Sequence, residues 1–315
     1  MTGEPTLLDE AARAGWLSYV AGMTQDQIAA ELGVSRQRAQ RLVSKAMAEG
    51  LVKVRLDHKI GRCLELEAGL IRRFGLQQAR VAPDLGPGAD PARATAGAAA
   101  ALLESYLARP ESQTIAFGTG RALSAMVAEI ATQPNERHRI VSLIGNIAPD
   151  GSASFYDVIM RLADKLHAPH YPMPVPLISE TPEERAMFHA LRPVQTVATL
   201  AQEADVVFVG IGQMGEDAPL YKDGFVTRAQ LADMRAKGAA GEIVGGVYDR
   251  AGRYIETPIS ALVGGVRVEP GRTGPVIGVA AGPTKVSAIC AALTGRIVNC
   301  LVTDEPTASA LLAQP

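Results

Sequence analysis

The sequence predicts an α/β protein in two parts, an N-terminal helix-turn-helix followed by a large C-terminal α/β domain on a largely parallel sheet. Three observations carry this. Helical periodicity with caps and glycine stops recurs through the first fifty residues. A stretch holding Pro83, Gly86, Pro87, Gly88 and Pro91 reads as a loop. Beyond it, short apolar runs alternate with amphipathic helices, as they do where helices cover a parallel sheet. The expected boundaries are 1–60 for the helix-turn-helix domain, 61–90 for a linker helix and loop, and 91–315 for the α/β domain.

Residues 8–22 carry a helical pattern with Leu8, Ala11, Ala12, Trp16, Tyr19 and Val20 on its apolar side, and Gly22 is placed to end it. Thr24, with Gln27 three residues on, has the spacing of a capping box for a second helix. Its apolar positions are Ile28, Ala29 and Leu32, and Gly33 closes it. Ser35 caps a third helix whose inward side is Ala39, Leu42, Val43, Ala46 and Met47, ending at Gly50. Leu51–Leu56 alternates apolar and basic side chains, the period of a half-exposed strand. Cys63–Phe74 is read as the linker helix. Expected strands follow at 114–117, 140–144, 206–211, 243–248, 276–280 and 297–302. Expected helices are 92–107, 122–130, 154–166, 182–190, 196–204, 228–235, 284–293 and 305–312.

Composition narrows the function classes. With 31 basic and 33 acidic residues in 315, the net charge of −2 and the 47% hydrophobic content exclude disorder throughout. No apolar run approaches the ~20 residues that span a bilayer, and Met1–Thr6 lacks the pattern of a secretory signal. Cys63, Cys290 and Cys300 are odd in number and widely spaced, fitting neither a disulfide framework nor a zinc ribbon. A reduced cytoplasm, with no membrane association, metal or cofactor, is the expectation. In His167-Ala-Pro-His170, Pro169 breaks the helix that would align two ligands.

The first unit is chemically marked. Thr24–Val43 has helix, glycine turn and helix at the spacing of a DNA reader, with the small Ala29 where the helices approach. Four bases lie between Ser35 and Ala48 with no acid among them. Arg36, Gln37, Gln40 and Arg41 point outward, and Arg and Gln are the side chains that bond guanine and adenine bidentately in the major groove. Arg38, Lys45 and, on the following strand, Lys53 and Arg55 are expected near phosphates, and Thr24 and Ser35 at the helix starts. An ordinary helical hairpin would not combine caps, turn glycine, small contact residue and an acid-free basic helix.

In the large domain, Phe117-Gly118-Thr119-Gly120-Arg121 follows a strand and opens a helix, so backbone N–H groups there can meet an anion. Gly282-Pro-Thr-Lys285 offers a second such turn with a lysine. Gly210-Ile-Gly-Gln-Met-Gly215 matches the dinucleotide pattern, but Glu216, Asp217 and Pro219 follow where a pyrophosphate and a helix would lie, so that reading is rejected. Asp157 and Asp249 are candidates for bonding sugar hydroxyls.

On these residues the chain resembles the SorC family of sugar-responsive bacterial transcription regulators over nearly its whole length, closest to the polyol-operon type. The resemblance rests on Met23–Arg36, Phe117-Gly-Thr-Gly120, Leu143-Ile-Gly-Asn146, Gly210–Met214, Gly241-Glu-Ile-Val-Gly245, Val276–Gly282 and Asn299–Glu305. It implies an effector domain related in fold to sugar-phosphate isomerases, a homodimer or homotetramer on an inverted-repeat operator, and a sugar, polyol or sugar-phosphate effector. By motif position the effector would meet Gly118, Thr119, Gly120, Arg121, Gly145, Asn146, Gln213, Met214, Asp249 and Lys285. Arg121 stands where the family usually has a hydroxyl residue, and Gly246-Val-Tyr248 where it usually has His and aromatics.

Two functions compete: an effector-controlled regulator, and a sugar-phosphate isomerase with an accessory helical domain. An enzyme needs a base beside the reacting carbons. No acid/base constellation surrounds Asp157, Asp249 or Lys285, and a shared fold confers no activity. The helix-turn-helix favours the regulator.

Overall fold

The computed structural model describes residues 6–52, 60–148, 151–152 and 158–314. The chain divides into two compact units, Met1–His58 and Lys59–Pro315. Among the described residues no helix is long and apolar enough to cross a membrane.

The first unit contains helices α1 (Leu7–Tyr19), α2 (Gln25–Leu32) and α3 (Arg36–Ala48). Thr24 and Gln27 form the expected capping box, Ser35 caps α3, and Gly33 ends α2 in the left-handed conformation at φ 65°. Ile28, Ala29, Ala39, Leu42, Val43 and Ala46 fill the core. The packed side of α1 differs from expectation. It is Ala11, Ala14, Gly15 and Leu17, whereas Leu8, Trp16, Tyr19 and Val20 are exposed. The reason is close approach: a Cβ on Gly15 would lie 2.6 Å from Val52 Cγ2 and 3.0 Å from Ala46 Cβ. Small residues let α1 seat against α3, and the bulky stripe is left outside. The strand expected at 51–56 falls from residue 53 onward outside the described residues, as do Lys53 and Arg55.

The second unit runs α4 (Gly61–Phe74), β1 (Gln78–Ala82), α5 (Pro91–Leu107), β2 (Thr114–Phe117), α6 (Arg121–Glu129), β3 (Arg139–Ile147), α7 (Val158–Leu166) and β4 (His170–Pro176). It continues with α8 (Pro182–His189), α9 (Arg192–Gln202), β5 (Val206–Gly210), β6 (Gly212–Gln213), α10 (Pro219–Lys222), α11 (Arg228–Ala236), β7 (Ala239–Ile243) and β8 (Gly246–Asp249). Then come β9 (Val276–Val279), a short 3₁₀ turn at Pro283–Lys285, α12 (Val286–Thr294), β10 (Cys300–Asp304) and α13 (Glu305–Ala313). Seven strands form one sheet in the order β1-β10-β9-β5-β2-β3-β4, every pairing parallel. Successive strand residues go to opposite faces. Ala116, Val207 and Val209 join a core with α4, α9, α12 and α13, while Ile115, Phe117, Val206 and Phe208 join one with α5, α6 and α7.

Three expectations need correction. Residues 61–90 are not a linker: Cys63, Leu66 and Leu70 of α4 are buried in the same core as Ala308 and Leu311 of α13, and β1 pairs with β10 from Gln78↔Cys300 to Ala82↔Asp304. Residues 243–248 are not one strand but the facing ends of β7 and β8, antiparallel around a turn at Val244-Gly245. β4 was unexpected because its sequence, HYPMPVP, holds three prolines; it lies at the sheet edge, where a missing N–H is tolerated.

Candidate functional site

The exposed side of α3 carries Arg36, Gln37, Arg38, Gln40 and Arg41. Thr24 and Ser35 act as caps: Ser35 Oγ accepts from the Arg38 N–H at 3.2 Å, and the Thr24 N–H donates to Gln27 Oε1 at 2.8 Å. The Arg38 guanidinium donates to Glu10 Oε2 at 2.8 Å and ties α3 to α1. Arg36 meets Asp26 at 3.4 Å in a pair whose side chains are 71% and 69% exposed, so water and salt screen it heavily. Lys45 pairs with Glu49 at 3.0 Å. Arg41 Nε donates within its own helix, to the Gln37 carbonyl 3.4 Å away. Gln37, Gln40, Arg41 and the loosely held Arg36 therefore form a surface of donors and acceptors suited to base edges.

In the second unit a cavity opens at the carboxyl ends of β2 and β5, the edge at which open α/β sheets bind ligands. Gly118–Ala122, Gly210–Gly212, the β7–β8 turn and Lys285 form its polar side; Ile144, Leu177, Ile178, Leu220, Phe225, Ile259 and Val263 form its apolar wall. Gly120, at φ 115°, starts α6 with no side-chain cap, and Gly118–Ala122 line the cavity, so the positive end of that helix lies beside it. Lys285 Nζ donates to the Ile211 carbonyl at 2.7 Å. Burial pushes its pKa down, partly countered by Glu242. Glu242 lies on β7; its Oε2 accepts from the Gly245 N–H at 3.0 Å. Burial raises its carboxyl pKa, against the pull of that bond and of Lys285. A Cβ on Gly212 would displace the Glu242 carboxylate, so the glycine leaves that group its place. Asp223 and Arg121 are exposed at the cavity's rim. One small space thus presents an acceptor, an ammonium and a helix start, groups whose chemistry matches hydroxyls and anions.

Residues 58–313 match the family described as "Putative sugar-binding domain", and residues 14–62 match the MarR family. The erythritol catabolism regulatory protein EryD of Brucella abortus (strain 2308) is 36% identical over 306 residues, covering 97% of this chain and 96% of its own. The crystal structure of the full-length sorbitol operon regulator SorC from Klebsiella pneumoniae has a TM-score of 0.72 at 28% identity, covering 97% of this chain and 99% of that one. The chain belongs to the SorC family of transcriptional regulators. The transcriptional regulator LsrR of Enterobacter sp. (strain 638) is a further relative, 32% identical over 307 residues, 96% of this chain and 92% of its own. This SorC-family protein is a DNA-binding regulator with a sugar-type effector domain, and not an enzyme; these relatives are regulators, which removes the isomerase reading.

Within this SorC-family domain the cavity gathers Gly118, Thr119, Gly120, Arg121 and Lys285. The other residues expected at the effector do not line this cavity. A Cβ on Gly145 would collide with the carbonyls of Val175 and Pro176, so that glycine serves the close passage of β3 past β4; Asn146, next to it, is also outside the cavity lining. Gln213 Nε2 donates to Asp217 Oδ1 at 2.8 Å and its Oε1 accepts from the Gly215 N–H, shaping its own loop. Met214 is buried in a small core with Leu231 and Met234. The Asp249 carboxylate meets Arg253 at 2.9 and 3.0 Å and the Ala251 N–H at 2.9 Å, so it caps a turn, and it is outside the cavity lining. Asp157 falls outside the described residues. Glu242 was the residue that sequence reasoning missed. The available signal was a lone carboxylate inside the motif Gly241-Glu-Ile-Val-Gly245, next to the buried Ile243. No three of His, Cys, Asp and Glu come close enough to hold a metal among the described residues.

Proposed function

We propose that α3 reads the major groove of an inverted-repeat operator through Arg36, Gln37, Gln40 and Arg41, with Lys45 and Lys53 toward the backbone. The protein works in the cytoplasm as a homodimer or homotetramer. The cavity of the second unit takes a small sugar or polyol, free or phosphorylated, whose binding alters operator affinity. The observation that carries the effector reading is Glu242 and Lys285 lining one largely apolar cavity at the sheet's carboxyl edge. Glu242 Oε1 accepts from ligand hydroxyls, Lys285 donates to a ligand oxygen, and the start of α6 with Arg121 faces an anionic group where the ligand has one.

EryD is described by erythritol catabolism and SorC by the sorbitol operon, so erythritol, sorbitol and their phosphates are the first probes. A bound probe at 100 times its Kd adds about 2.7 kcal/mol of stability. A thermal-shift series with these four compounds, followed by operator binding with and without the best of them, tests the proposal. Stabilisation of the wild type that is lost in Glu242→Ala and Lys285→Ala is the expected result. Equal stabilisation of both variants and wild type would move the effector out of this cavity.

A further inference from the structure

The hairpin between β7 and β8 turns through Val244 and Gly245, at φ 52° and 73°. Ile243 pairs with Gly246 across it, so the loop has two residues, both left-handed. Such loops favour Asn-Gly or Gly-Gly, because left-handed backbone crowds a Cβ against the following carbonyl. Among the described residues with positive φ, Val244 is the β-branched one, the side-chain type least suited to that conformation. Strained backbone persists where its surroundings over-determine it, and three contacts do so here. The Gly245 N–H is held by Glu242 Oε2 at 3.0 Å. A Cβ on Gly245 would come within 2.8 Å of both γ-carbons of Val263, so the turn is pressed against that segment. Val244 Cγ2 is 3.5 Å from where a Cβ of Gly118 would sit, against the glycine loop that opens α6.

We propose that the Val244-Gly245 turn is the sensing element of the cavity: Glu242 pins it in a strained form, and a ligand hydroxyl that bonds Glu242 weakens the pin and lets the turn relax. The inference rests on the reading of this cavity as the effector site. The Gly245 N–H holds Oε2 and the ligand hydroxyl bonds Oε1, so a ligand that turns the carboxylate toward itself draws Oε2 off the N–H, and occupancy and turn conformation are linked through the orientation of one group. Val244 lines the cavity, so its relaxation reshapes the wall against Gly118. The stored strain, that of one side chain in left-handed backbone, corresponds to about a 5- to 30-fold bias in a two-state equilibrium. A ligand shifts such an equilibrium only by its differential affinity for the two forms, and the Glu242 bond supplies that difference.

Amide hydrogen exchange at Gly245, measured on the full-length protein, tests this. Without ligand, Glu242→Ala should speed exchange, and adding Val244→Asn, which suits left-handed backbone, should restore protection by about 5- to 30-fold. Unchanged exchange in Glu242→Ala, or no restoration in the double variant, would overturn the proposal whatever the ligand is. With erythritol or its phosphate bound to wild type, verified by calorimetry, Gly245 exchange should rise as it does in Glu242→Ala. Unchanged or slower exchange in that complex also overturns the proposal. Absence of binding by either compound counts instead against the effector reading, and the ligand-free arm still decides the pin.

Discussion

Arg36 and Arg38 are two residues apart on one helix, yet their surroundings give them different roles. Arg38 donates to Glu10 at 2.8 Å between helices, while Arg36 meets Asp26 in a longer, more exposed pair. Arg38→Ala should therefore leave base preference intact and lower the stability of the first unit by about 0–1 kcal/mol, the range of exposed pairs. The double variant Arg36→Ala, Gln37→Ala should lose about 1–3 kcal/mol per bidentate contact on the operator and relax its preference. Operator titrations beside thermal melts separate the two outcomes, and a base-preference loss in Arg38→Ala would reverse the assignment. In the cavity, burial raises the Glu242 pKa from its ordinary 4.5. Between that value and the raised one the folded protein holds a proton that the unfolded chain has released, so stability falls as pH rises through the window. Lys285 is shifted down from 10.5, so its stability term runs the other way, rising with pH between its lowered value and 10.5. Melting temperatures of Glu242→Gln from pH 4 upward should lack the falling limb that wild type shows; an identical profile would mean that the carboxyl is not buried in solution.

At the scale of elements, caps and stops were legible because they depend on a few neighbouring residues. Thr24 and Gln27 form their box, and Gly33 takes the left-handed end at φ 65°. Thr24→Ala should destabilise the first unit by about 1 kcal/mol, seen as an earlier melt and as weaker binding to all DNA sequences alike. A melt equal to wild type would show that the cap adds nothing in the folded unit. The packed side of α1 was not legible in the same way. Its bulky residues make the stronger apolar stripe, but Gly15 against Val52 and Ala46 decides which side faces in. The edge strands β1 and β4 escaped for a related reason. An edge strand needs one buried face and half its backbone bonds, so Gln78-Ala-Arg-Val-Ala82 and a proline-rich segment serve without a run of apolar residues. The β7–β8 hairpin was hidden because valine is a poor residue for a two-residue turn, and the neighbours that hold it, Glu242, Val263 and Gly118, come from the tertiary structure.

At the scale of the whole molecule, one helix-turn-helix covers one half-site, and two-fold readers place two copies about one helical turn apart or a multiple of it. Light scattering at micromolar concentration should give at least twice the chain mass, and operator affinity should fall when the spacing between half-sites is changed by five base pairs. A monomer that binds with full affinity would contradict this. The sequence by itself determined the class of each unit, the order of helices and central strands, the caps, the basic character of α3 and the glycine turns at the sheet's carboxyl edge. These follow from patterns within some twenty residues, where period, charge and turn chemistry act locally. Tertiary structure alone decided which side of α1 is buried, that residues 61–90 belong to the α/β body, and which residues share the cavity. Glu242 and Lys285, 43 positions apart, meet in one space, while Asp249 and Gln213 spend their polar groups on neighbouring loop atoms. A side chain's partners are set by the folding of distant segments onto one another, and no local pattern in the chain encodes that distance.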